Sequence, residues 1–158
     1  MKKGTIASLA TLSGAAVGVI TTQVTRKKKD NARVDKLKKM GEFYNLLIQW
    51  LSIRQEGKSL VSYFEQNGYK KIAIYGMKEL GERLYDELKD SEIEVKYIID
   101  KNADAIYADV DVVTPDDQLE EVDAITVTAI HYFDEIEEML EQKVDCPVIS
   151  LEDIVYEV

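Results

Sequence analysis

One run constrains this chain more than any other. Ile72-Ala73-Ile74-Tyr75 is a short apolar stretch that stops at Gly76, passes through Met77-Lys78-Glu79 and continues as Leu80-Gly81-Glu82-Arg83-Leu84, with apolar residues at helical spacing. A buried strand, a glycine turn and a helix form the opening of a nucleotide-binding βαβ unit. In the full G-x-G-x-x-G pattern the first glycine makes the tight turn, the second lets backbone approach a pyrophosphate, and the third lets the helix lie close to its strand. Gly76 and Gly81 hold the first and third places, and Lys78 holds the second. Lys78 sets a Cβ where backbone would meet phosphate, yet it also brings an ammonium to the positive end of a helix, where anions bind. Glu79 and Glu82 in the same turn already answer the helix dipole and repel phosphate.

The alternation continues downstream. Apolar, β-branched runs predict strands over 70–75, 94–100, 110–114, 124–128 and 148–150, and helical patterns fall over 79–89, 115–120, 132–142 and 151–156. Strands separated by helices imply an α/β fold, a small Rossmann-like parallel sheet of five strands over 70–158. Asp100 ends the second strand, 24 residues after Gly76, where such folds place an acid that holds a ribose hydroxyl; it equally suits the turn Asp100-Lys101-Asn102. His131, the sole histidine, follows the fourth strand on the edge where ligands bind, and is a candidate ribose contact or base, or else a capping residue. The candidate cofactor-binding residues are therefore Gly76, Lys78, Gly81, Asp100 and His131, for NAD(P) or a nucleotide-sugar.

No residue set reads as catalytic or metal-binding. Tyr85 and Lys89 spell the Tyr-x-x-x-Lys pair of short-chain reductases, but they lie in the first helix, away from the strand edge, with no companion serine motif. Asp116-Asp117 and the acids at 134, 135, 137 and 138 read as a loop and a solvated helix face. Cys146 is the only cysteine, which rules out an intrachain disulfide and a cysteine-based zinc site. The charge is divided. Residues 1–71 hold 14 basic and 5 acidic side chains, net +9, whereas 72–158 hold 6 and 25, net −19. So acidic a body repels phosphate backbones, and nucleic acid is excluded as its partner.

The basic part points to a membrane instead. From Gly4 to Thr25 there are 22 uncharged residues, which as a helix measure roughly 33 Å, the thickness of a bilayer's hydrocarbon layer. Met1-Lys2-Lys3 and Gly14-Ala15-Ala16 would also suit a cleaved signal peptide, but Arg26-Lys27-Lys28-Lys29 follows at once, as a stop-transfer signal does. The expectation is an uncleaved single-pass anchor over 1–29 in the cell membrane, with the globular domain cytoplasmic by the positive-inside rule. Ala10, Gly14, Gly18 and Thr22 recur every four residues, a stripe suited to a homodimer contact.

Between anchor and sheet, residues 30–69 predict a helical hairpin. Val34, Leu37, Met40, Tyr44, Leu47, Ile48 and Leu51 follow amphipathic spacing over 31–55, widened by Phe43, Trp50 and Ile53, and this face is expected to pack on the chain's own domain. After Glu56-Gly57-Lys58, Ser59 is the expected N-cap and Gly68 the C-cap of a short second helix.

Four segments carry a family resemblance: Ile74-Tyr75-Gly76, Glu79-Leu80-Gly81, Tyr97-Ile98-Ile99-Asp100 and Val148-Ile149-Ser150-Leu151. Through them residues 70–154 resemble the Rossmann-like N-terminal domains of bacterial sugar-modifying proteins, among them the nucleotide-binding domains of sialic-acid-type and bacillosamine acetyltransferases and the lead domain of membrane-bound nucleotide-sugar dehydratases. With its anchor and hairpin the whole chain resembles a group of membrane-tethered bacterial proteins. Lys78 departs from the glycine such families carry. The resemblance implies a nucleotide or nucleotide-sugar module with a sensor or accessory role in envelope or polysaccharide metabolism. A scaffold that has lost its ligand and docks a protein partner is the alternative. An oxidoreductase or epimerase ranks last, because no residues remain for a substrate domain.

Overall fold

The computed structural model describes the backbone from Gly4 and the side chains from Lys28 to Val158. The side chains of the anchor predicted over 4–25, with the stripe Ala10, Gly14, Gly18 and Thr22, lie outside the described residues. Among the described residues no helix is long and apolar enough to cross a membrane. The chain divides into two units, Met1–Tyr44 and Asn45–Val158. Helix α1, Gly4–Gln55, supplies the first and opens the second.

Helix α1 runs without a break through the positions of the predicted anchor and of the amphipathic helix predicted over 31–55, for a simple reason. Neither glycine nor proline occurs between Val19 and Met40, and lysine and arginine are good helix formers. Exposed pairs one turn apart, Arg33 with Asp30 and Lys38 with Glu42, add a few tenths of a kcal/mol each.

A correction concerns the apolar face of α1. Val34, Leu37, Met40 and Tyr44 in the first unit, and Leu47, Ile48 and Leu51 in the second, are exposed. The side buried in the second unit is Leu46, Trp50 and Ile53. The helix thus carries two apolar stripes, and on the buried one the Trp50 indole N–H donates to Glu87 Oε2 at 2.7 Å.

The turn after α1 leads to α2, Val61–Asn67, which ends at Gly68 in the left-handed conformation, φ 75°, as expected of its C-cap. Leu60, not Ser59, is the N-cap and makes no side-chain cap bond. Ser59 still accepts from the Val61 N–H at 3.2 Å, while its hydroxyl donates to Glu87 Oε1 at 2.7 Å.

Five parallel strands follow: β1 Lys71–Tyr75, β2 Glu94–Ile99, β3 Asp111–Val113, β4 Ala124–Val127 and β5 Val148–Ser150. Their spatial order is β3-β2-β1-β4-β5. Helix α3, Glu79–Leu88, connects β1 to β2, α4, Phe133–Leu140, connects β4 to β5, and α5, Leu151–Glu157, closes the chain with Ser150 as its N-cap. Strand residues alternate between two cores. Ala73, Tyr75, Tyr97, Ile99, Ile125 and Val127 share one with Ile136 and Leu140 of α4. The residues between them, Ile72, Ile74 and Ile98, are fully buried too. Strands covered on both faces read as the continuous apolar runs seen here.

The helix predicted over 115–120 is absent. The Asp117 carboxylate turns back to accept from the Thr114 N–H at 2.7 Å and the Thr114 hydroxyl at 2.8 Å, which makes a turn of Thr114-Pro115-Asp116-Asp117. The chain then runs without helix to β4. Leu119 and Val122 pack on the α4-side core, and the Tyr97 hydroxyl donates to the Glu120 carbonyl at 2.7 Å. Burial pushes the Tyr97 phenol up to about 12, with Cys146 and Glu120 adding to it.

Candidate functional site

The strand order reverses direction at β1: the chain moves outward through β2 and β3, then returns to place β4 on the other side of β1. Ligands of open α/β sheets bind at such a switch point, at the carboxyl ends of the strands. Gly76 lies there. Its φ of +92° is one that residues with a side chain rarely adopt, and its N–H donates to the Ile99 carbonyl at 2.8 Å.

The two glycines are used inside the protein. A Cβ on Gly76 would come within 2.9 Å of Thr128 Oγ1, and one on Gly81 within 2.1 Å of the Gly76 carbonyl oxygen. Gly81 therefore does what the third glycine of the pattern does: it lets α3 lie against the turn. The Thr128 hydroxyl, just beyond β4, reaches the Gly76 carbonyl at 2.7 Å and the Tyr75 carbonyl at 3.1 Å, so it pins the turn from the other side of the crevice.

Lys78 is the N-cap of α3, exposed, with φ −88° and ψ −162°. Any residue adopts that backbone, so the second position does not require glycine. The Lys78 side chain makes no cap bond to α3. The first N–H groups of a helix have no partner within it, and Glu79 and Glu82 lie in the first turn of α3.

Asp100 is 8% exposed at the end of β2. Its carboxylate accepts from the Met77 N–H at 3.0 Å and from the Asn102 N–H at 2.9 Å. Asp100 thus serves the turn that the sequence also suggested and, in addition, fastens the glycine turn. The Met77 amide is therefore occupied. The residues fit a dinucleotide's backbone cradle poorly, because the bare faces of Gly76 and Gly81 are filled and Lys78 carries a Cβ.

Gly76, Gly81 and Asp100 are thus brought together, with Lys78 at their rim. His131 lies half-buried in a 3₁₀ turn, Ile130–Tyr132, three residues beyond Thr128 on the same edge. Beside Met77 a cleft of about 360 Å³ extends between Arg83 of α3 and the β2–β3 loop, where Tyr107 and Asp109 line it. Tyr75, the last residue of β1, has a buried hydroxyl with no hydrogen-bond partner among the described residues. Burial raises its pKa, and Asp100 and Asp116 raise it further, so the phenol stays protonated.

The sequence model of a family described as C2185-like, N-terminal, matches residues 68–148, just over half of the chain. The chain belongs to the C2185-like N-terminal family. No curated protein and no solved structure matches it. The C2185-like segment runs from the C-cap of α2 into β5 and contains all the residues of the edge described above. Helices α1 and α2 precede it.

Glu87 joins the C2185-like segment to those helices. Its side chain, 8% exposed, accepts from the Trp50 indole, the Ser59 hydroxyl at 2.7 Å and the Leu60 N–H at 2.8 Å, with the Arg54 guanidinium 3.3 Å away. Sequence reasoning passed over both Glu87 and Thr128. Glu87 had left a signal, because it sits seven residues after Leu80 on the apolar face of α3, where a carboxylate needs a buried partner. Thr128 had left none, since a threonine ending a strand is unremarkable in sequence.

Proposed function

We propose that the protein binds a nucleotide or nucleotide-sugar at the edge formed by Gly76, Lys78, Asp100 and His131. In this reading residues 4–25 hold it at a membrane, and the domain serves on the cytoplasmic side as a sensor or accessory subunit in envelope or polysaccharide metabolism. The observation that carries the ligand part is the start of α3, which opens at the switch point directly after the glycine turn and whose N-cap, Lys78, makes no side-chain cap bond. Lys78 and the outer amides of α3 receive phosphate, and the neighbouring cleft receives the rest of the nucleotide. The occupied Met77 amide counts equally against the pyrophosphate of NAD(P) and that of a nucleoside-diphosphate sugar. Membrane and pathway rest on the uncharged N-terminal run and on the family resemblance.

A scaffold without ligand is the second reading, favoured by the internal use of Gly76 and Gly81 and by the carboxylates of Glu79 and Glu82 in the first turn of α3. Thermal unfolding of the full chain with NAD, NADP, coenzyme A, nucleotide-sugars and plain nucleotides separates the two. A ligand at a hundred times its Kd stabilises by about 2.7 kcal/mol. The binding reading expects a nucleotide-sugar or nucleotide to raise the midpoint, and Lys78→Ala, at an exposed and unstrained position, to reduce the rise without lowering the unliganded midpoint. If no compound moves the midpoint, the scaffold reading stands.

A further inference from the structure

The exposed side of α1 is organised by a different period from a surface helix that packs on its own domain. Val34, Leu37, Gly41, Tyr44, Ile48 and Leu51 alternate at three and four residues, the 3.5-residue repeat of a coiled-coil seam. Met40 and Leu47 widen it on one side. The opposite side of the helix carries Leu46, Trp50 and Ile53, which are buried in the second unit, so the seam is not needed for folding that unit.

The seven large side chains of this stripe are 36 to 67% exposed. Together they leave on the order of 800 Å² of each copy in water, so two facing seams can cover on the order of 1,500 Å², within the roughly 1,200–2,000 Å² of a specific interface. An apolar strip of that size is larger than a solitary soluble surface usually leaves open. Its period matches another helix of the same repeat, and every copy of the chain supplies one. Gly41, at the middle of the seam, has no atom within 4 Å of an added Cβ, which leaves a hole into which a facing Tyr44 ring can pack as a knob.

We infer that the α1 seam from Val34 to Leu51 pairs with the same seam of a second copy of this chain as a two-stranded coiled coil. This pairing is independent of nucleotide binding and uses a surface different from the small-residue stripe at 10–22.

The test is the mass of the full chain in a mild detergent, by light scattering corrected for bound detergent. The wild type is expected to have the mass of a dimer. Leu37→Glu with Tyr44→Glu, both outside the second unit, is expected to halve that mass and leave Trp50 emission unchanged. A monomeric wild type at tens of micromolar overturns the proposal, and so does a dimer that survives both glutamates, which would place the contact elsewhere. A monomer that binds anionic vesicles through the same side chains overturns it in favour of a lipid surface. As a second check, cysteines introduced along the seam of the Cys146→Ser chain should cross-link between copies; failure of every seam cysteine to do so also contradicts it.

Discussion

Glu87→Ala is expected to cost about 3–5 kcal/mol of folding stability, a large part of what a domain of this size possesses. The substitution strands the Trp50 indole N–H and the Leu60 N–H away from water and removes the acceptor of the Ser59 hydroxyl. Each stranded donor costs about 1–3 kcal/mol. Arg54 is more than half exposed and recovers its hydration, so its ion pair adds little. Glu87→Gln is expected to fall between wild type and alanine, because its amide nitrogen faces donors on one side while its oxygen still accepts on the other. Urea unfolding followed by Trp50 fluorescence measures both. A loss below about 1 kcal/mol for the alanine variant would show that Glu87 does not hold α1 and α2 to the sheet.

Gly81→Ala is expected to cost about 3 kcal/mol or more and to reduce the yield of folded protein. A methyl group there meets the carbonyl oxygen of Gly76 at 2.1 Å and its carbonyl carbon at 3.0 Å. The turn cannot easily yield, since Gly76 is held by the Ile99 carbonyl through its N–H and by the Thr128 hydroxyl through its oxygen. Relief therefore requires α3 to lift from β1 and to disturb Leu80, Leu84 and Leu88, which are buried beneath it. Gly41→Ala is the contrasting control. No neighbour meets its methyl, and in a helix interior alanine is favoured by about 1 kcal/mol, so the isolated chain should tolerate it.

The sheet was legible because its strands are buried on both faces and stand out as apolar, β-branched runs between helical patterns. The strand positions 70–75 and 94–100 differ from β1 and β2 by a single terminal residue. The helix expected at 115–120 was not legible as a turn, because the competing bonds of Asp117 to Thr114 belong to a side chain whose direction no periodicity reveals. The face of α1 was misread for a related reason. Spacing identifies apolar stripes but does not say which one a domain will bury, and the buried stripe is the one whose Trp50 finds a carboxylate 37 residues away. At the candidate site, the roles of Gly76 and Gly81 in turn and packing followed from their places in the pattern. That Asp100 holds the Met77 amide did not, since its distance in sequence from Gly76 fixes which edge it lies on and not what its oxygens accept.

Backbone amide NMR of the isotopically labelled full chain, titrated with nucleotide-sugars and nucleotides, tests whether phosphate is received at the start of α3, with Asp100 and His131 on the same edge. A binding compound is expected to move the amides of Lys78, Glu79, Asn102 and His131 first and furthest, and Lys78→Ala to weaken these shifts. Amides along that edge that stay in place at millimolar ligand, or shifts confined to other parts of the sheet, would contradict it.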